Sequence, residues 1–152
     1  MVEEGSPAPE LELKDDSGAT VRLSDFRGSP VVLYFYPKDD TPGCARQACE
    51  LRDAYAEFRE RGAVILGVSP DDEDSHTRFR EKFSLPFPLL ADTGWAAAKA
   101  FDVIGQRSVD GGPPKPSIRR STFVIGADGT VARAMYDVSP DGHADAVLAA
   151  LP

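Results

Sequence analysis

The chain has 152 residues, 41% of them hydrophobic, and a formal net charge of −8. That length suits one domain with a single core, and that composition excludes disorder over the main body. The acidic balance argues against nucleic acid or an anionic membrane as partner, since both reward basic surfaces.

The N-terminus, Met1-Val2-Glu3-Glu4-Gly5-Ser6-Pro7, is acidic and polar, and no apolar run approaches membrane-spanning length. The expected location is the cytoplasm, where a cysteine pair is more often catalytic or metal-binding than structural. Residues 11–13 and 20–23 flank Asp15-Asp16-Ser17-Gly18 and read as an N-terminal hairpin. Ser24-Asp25 caps a short turn. Residues 31–36 form a continuous apolar run, the pattern of a strand buried on both faces. From 43 to 61, Ala48, Leu51, Tyr55 and Phe58 fall at helical spacing, with Gly62 as the stop.

Residues 64–68 read as a second buried strand and 75–83 as a helix. The acids at 71–74 fit the helix dipole better than a cation site. A short strand is expected at 86–90 and a helix at 95–101. Trp95, Phe79, Phe83 and Phe101 are assigned to the core. Pro113-Pro114-Lys115-Pro116 marks an exposed loop without regular structure. Residues 121–125 and 131–136 form a hairpin, and 143–151 a closing helix. There is no internal repeat. The pattern predicts an α/β fold in one domain, 1–152, with a mixed central sheet flanked by helices. The helix after the first buried strand opens at the sheet's C-terminal edge, where such folds usually place their sites.

That junction holds the only two cysteines, Cys44 and Cys49. A thiol at a helix N-terminus meets free backbone N–H groups and the positive end of the dipole, which favour thiolate. Thr41, three residues earlier, can aim a hydroxyl at whatever the sulfur attacks. A reactive thiolate with a second thiol nearby is the layout of a sulfur that is oxidised and then resolved as a disulfide. A zinc site is disfavoured, because there is no Cys-x-x-Cys and His76 and His143 lie far along the chain. Both histidines are expected as surface or capping residues. No metal or cofactor is expected.

The run Val31-Val32-Leu33-Tyr34-Phe35-Tyr36-Pro37 into Thr41-Pro42-Gly43-Cys44 resembles the Pro-x-x-x-Thr-x-x-Cys signature of peroxiredoxins. With a cysteine five residues on, it is similar to the peroxiredoxin Q subgroup, also called bacterioferritin comigratory protein. The likeness extends to Gly67-Val68-Ser69-Pro70-Asp71, residues 85–92, 120–125 and Gly142-His143-Ala144. The resemblance implies a thioredoxin-like fold and thiol-dependent reduction of hydrogen peroxide and organic hydroperoxides by an atypical 2-Cys enzyme. It implies Cys44 as peroxidatic and Cys49 as resolving cysteine, recycled by thioredoxin or a similar dithiol reductant. Pro37, Thr41 and Arg120 complete the catalytic set, and Thr41, Gly43, Cys44 and Arg120 would bind substrate. A monomer is what the subgroup implies.

Each of these residues has a physical job. Pro37 directs the loop and limits water over the thiolate, Gly43 lets backbone approach the peroxide, and Arg120 offers a permanent charge in a rigid fork. Lowering a thiol pKa from about 8.5 to about 6 raises the thiolate fraction only roughly thirtyfold and weakens the nucleophile. Donors aimed at the developing charge matter more, at about a hundred- to thousandfold each. The chain departs from many relatives at Ala45, where they carry Thr or Ser, and at Gln47, where they carry Glu. Gln47 can hydrogen-bond an arginine but offers no charge. Spacing to Phe123 favours Arg120 over Arg119 as the arginine facing Cys44. A different class of reading is a redox-sensing interaction protein whose disulfide alters a binding surface without turnover.

Overall fold

The structure is a computed structural model that describes residues 1–108 and 110–152. In chain order the elements are β1 (Glu12–Asp15), β2 (Thr20–Arg22), a 3-10 turn (Leu23–Phe26), β3 (Val31–Phe35), α1 (Pro42–Asp53), α2 (Tyr55–Glu60), β4 (Val64–Ser69), α3 (Glu73–Phe83), β5 (Leu89–Ala91), α4 (Ala96–Ala100), β6 (Ile104–Arg107), β7 (Lys115–Ile118), β8 (Ser121–Ile125), β9 (Val131–Met135) and α5 (His143–Ala150).

Seven strands make one mixed sheet in the order β2-β1-β5-β4-β3-β8-β9. The most apolar run sits at its centre. β3 pairs in parallel with β4 and antiparallel with β8, and all five of its residues are buried. Alternate side chains of β3 feed opposite faces of the sheet. Val32 and Tyr34 join the core under α1, α2, α3 and α5, and Val31, Leu33 and Phe35 join the core under α4. Gly67 on β4 is required by close packing: a Cβ there would lie 2.9 Å from the Tyr34 ring and 2.8 Å from Leu89. This is the thioredoxin-like arrangement with an N-terminal hairpin.

The structure differs from the sequence reading at several points: the short strand expected at 86–90 is Leu89–Ala91, and Phe83 and Trp95, assigned to the core, are only partly buried. The 43–61 helix is broken at Ala54, whose backbone leaves the helical region at φ −93°, ψ 3°, so α2 turns to bury Phe58 completely. No glycine or proline marks that break. The Pro113 segment is not all loop: Lys115–Ile118 pairs antiparallel with Ile104–Arg107 as a two-stranded ribbon. Such a ribbon has open edges, so Pro116 needs no N–H partner there. Both histidines are buried rather than surface or capping residues, with exposures of 0% for His76 and 4% for His143. Their polar partners come from distant segments, which is why local sequence did not reveal them. Of the acids before α3, Asp72 caps the helix by accepting from the Ser75 N–H at 2.8 Å and Glu73 and Asp74 lie in its first turn, whereas Asp71 turns to the Asp39 N–H.

Candidate active site

β3 delivers the chain to the sheet's C-terminal edge, and the 37–41 segment leads into α1. Thr41 is the N-cap in extended conformation and Pro42 the first helical residue, a position where the missing N–H costs nothing. Cys44 therefore sits in the first turn. The N–H groups of Gly43 and Cys44 have no partner inside the helix. Thr41 does not cap them with its side chain. Its hydroxyl donates to the Lys38 carbonyl at 2.9 Å, which leaves its lone pairs to accept a proton donor rather than to meet the sulfur as a donor.

Cys44 is 2% exposed, and its sulfur is reached by one arginine. Arg120 Nη2 donates to Cys44 Sγ at 3.3 Å, and Nη1 donates to Gln47 Oε1 at 2.5 Å. Gly43 makes room for that guanidinium: a Cβ would stand 3.3 Å from Arg120 Nη2 and 3.5 Å from Pro140. What closes on the Gly43 backbone is thus the arginine. Gln47 is fully buried, and its Nε2, like Tyr34 Oη, has no hydrogen-bond partner among the described residues. A glutamate at 47 would leave no such orphan. Burial, with the charges of Cys44 and Asp39, pushes the Tyr34 phenol well above its ordinary range.

Cys49 lies on the same helix and is half-buried, and both thiols are free. Pro37, Thr41, Pro42, Gly43 and Arg120 line a cleft of about 780 Å³, together with Lys38, Arg107, Lys115, Pro116 and Ser117. Pro37, Thr41, Gly43 and Arg120 thus share one cleft, Cys44 meets it through Arg120, and Cys49 stands apart along α1. Sequence reasoning missed Arg107 and Lys115, which the ribbon brings to the cleft. Among the described residues, four cations and no acid line it, on a chain whose net charge is −8. Beside the site, His143 Nε2 is 2.7 Å from the Thr122 hydroxyl. Burial and the Arg120 charge lower its pKa to about 4.

A profile of the AhpC/TSA family matches residues 5–134. Peroxiredoxin Bcp of Bacillus subtilis is 46% identical over 150 residues, covering 99% of this chain and 95% of that protein. Chloroplastic peroxiredoxin Q of Suaeda salsa is 43% identical, over 97% of this chain and 66% of its own length. Among solved structures, the Xanthomonas campestris bacterioferritin comigratory protein, studied for alkyl peroxide reduction, superposes with a TM-score of 0.89 at 39% identity, covering 97% of this chain and 96% of that one. A cysteine-to-serine mutant of Xylella fastidiosa PrxQ reaches 0.92 at 34% identity, over 98% and 94%.

Proposed function

This chain belongs to the AhpC/TSA family, in the company of its Bcp and peroxiredoxin Q members, and is a thiol peroxidase; from that premise we propose that Cys44 attacks the peroxide and Cys49 resolves it. The observation that carries the assignment is the 3.3 Å contact from Arg120 to the buried sulfur of Cys44, in the first turn of α1. No arginine contact of that kind is found for Cys49 among the described residues.

The Cys44 thiolate attacks one oxygen of ROOH, the S–O bond forms as O–O breaks, and the departing alkoxide takes a proton to leave as ROH. Arg120, the Gly43 and Cys44 N–H groups and the accepting oxygen of Thr41 surround the place where the two oxygens would lie, which fixes their line and stabilises the departing charge. Pro37 and Pro42 wall the cleft with apolar surface. Cys49 then attacks the Cys44 sulfenic acid, the S–S bond forms, and hydroxide leaves as water. Thioredoxin or a similar dithiol returns both thiols by exchange. Such recycling suits a reducing compartment, the cytoplasm.

The chain works as a single domain, and as a monomer: Met1 is the one exposed large apolar side chain among the described residues, so no apolar face calls for a second copy. Steady-state peroxide consumption with thioredoxin and its reductase tests the reading. Turnover that vanishes in Cys44→Ser supports it. A disulfide that forms once without turnover would favour the redox-sensor reading instead.

A further inference from the structure

His76 has no place in the chemistry above, yet it is fully buried behind the 37–41 segment. A buried imidazole must have its nitrogens satisfied. Nε2 lies 2.9 Å from the Leu90 carbonyl, which can only accept, so Nε2 carries a hydrogen. Nδ1 lies 2.7 Å from Asp39 Oδ2. That carboxyl group also accepts the Tyr36 hydroxyl at 2.6 Å and the Ser75 hydroxyl at 2.8 Å. Both ring nitrogens thus face acceptors, an arrangement that favours the charged ring. Burial alone would push the ring's pKa down. The hydrogen bond and charge of Asp39, the Leu90 carbonyl and the Asp71 charge outweigh it and raise the value above the ordinary one.

Asp39, Asp71 and His76 bring one ligand atom each within 4.8 Å of one another, a spacing that a metal could use. Their chemistry argues otherwise. The atoms concerned are already engaged with one another and with hydrogen donors of the chain: Asp39 Oδ2 faces His76 Nδ1 and accepts the Ser75 hydroxyl, and Asp71 Oδ2 accepts the Ser69 hydroxyl at 2.6 Å and the Asp39 N–H at 2.8 Å. The cluster is an anchor. It ties both the main chain and the side chain of Asp39 to the β4–α3 corner. Asp40 follows at φ +58°, a left-handed turn that aspartate adopts more readily than most non-glycine residues. One residue later comes Thr41, then the helix turn holding Cys44.

We propose that His76 is a positioning residue for peroxide reduction, holding through Asp39 the segment that presents Pro37, Thr41 and the first turn of α1 to the peroxide. The proposal rests on Cys44 as the attacking sulfur. Misplacing reacting groups by about 1 Å can cost about a hundredfold in rate. Alkylation of a thiol by iodoacetamide needs no such alignment of Thr41 and the α1 amides.

The test compares two rates at Cys44, oxidation by hydrogen peroxide in stopped flow and alkylation by iodoacetamide, in wild type, His76→Leu and His76→Gln. His76→Leu should oxidise about ten- to a hundredfold more slowly while alkylation changes less than about threefold. His76→Gln, which keeps a donor to Asp39, should recover most of the loss. If His76→Leu does not fold because Asp39 is left as an unpaired buried charge, Asp39→Asn/His76→Leu, neutral at both ends, carries the same comparison. Oxidation within twofold of wild type, or oxidation and alkylation falling together, would overturn the proposal. A wild type inert to peroxide, or one still active as Cys44→Ser, would overturn instead the site assignment beneath it.

Discussion

Arg119 and Arg120 are neighbours in the chain, yet their guanidinium groups end at different places. Arg119 forks onto the Asp137 carboxylate at 2.7 and 3.0 Å and lies over the Tyr136 ring, 5.0 Å from its centroid. Arg120 turns inward to Cys44 and Gln47. The first holds a surface turn and the second faces the sulfur.

Their conservative variants should therefore separate. Arg120→Lys replaces the two-pronged contact with a point charge and should lower the second-order rate with hydrogen peroxide by about a hundredfold or more. Arg119→Lys loses an exposed bidentate pair and should leave that rate within about twofold. Stopped-flow oxidation of both variants checks this. The reverse ranking would mean that Arg119 serves the site.

The cysteines should divide the labour. Cys44→Ser should abolish peroxide reduction. Cys49→Ser should keep the first oxidation but trap Cys44 as sulfenic acid, which excess peroxide carries to sulfinic acid. Peptide mass spectrometry during a peroxide titration reads the order, and Cys49 oxidised first would reverse the roles.

Resolution should require α1 to unwind. Residues five apart on a regular helix have Cα atoms roughly 8.5 Å apart with side chains about 140° apart around the axis, whereas a disulfide needs Cα atoms within about 7 Å and converging Cβ vectors. Cys44 and Cys49 both lie within Pro42–Asp53. Bond formation must therefore pull Cys44 and the buried Gln47 and Ala48 out of register and release Arg120. Amide hydrogen exchange over residues 43–52 should be much faster in the disulfide form. Equal protection in both states, with the disulfide confirmed, would contradict the mechanism.

Acid should destabilise the fold through His143. Its pKa is lowered to about 4 in the folded chain, chiefly by burial and then by Arg120, from a usual 6.5. Between those values the unfolded chain binds a proton that the folded chain refuses, so stability rises with pH across the window. The contribution is complete above pH 6.5 and lost as pH falls toward 4, on the order of 3 kcal/mol. Urea unfolding from pH 7 to pH 4 should show a smaller drop for His143→Gln than for wild type. His76 acts with the opposite sign, because its raised value favours the fold at low pH and fades as pH rises through it.

The succession of strands and helices leading to the site, the helix that opens on Cys44 and the loop proline were all legible from local pattern. Continuous apolar runs specify buried strands, and Thr41-Pro42-Gly43 specifies a helix start, through forces acting within a few residues. The spacing of Arg120 to Phe123 also favoured it over Arg119, although both lie in the connection between β7 and β8 and not within a strand. The break at Ala54 was not legible, since no glycine or proline produces it and the burial of Phe58 accompanies it. Nor were the basic ribbon at the cleft and the Asp39–His76 pair, which joins residues 37 apart. A buried ion pair forms only when the fold removes water from both groups at once, and no local pattern records that event. The sequence by itself determined which sulfur stands at the helix start, and tertiary packing alone decided what holds the segment leading to it.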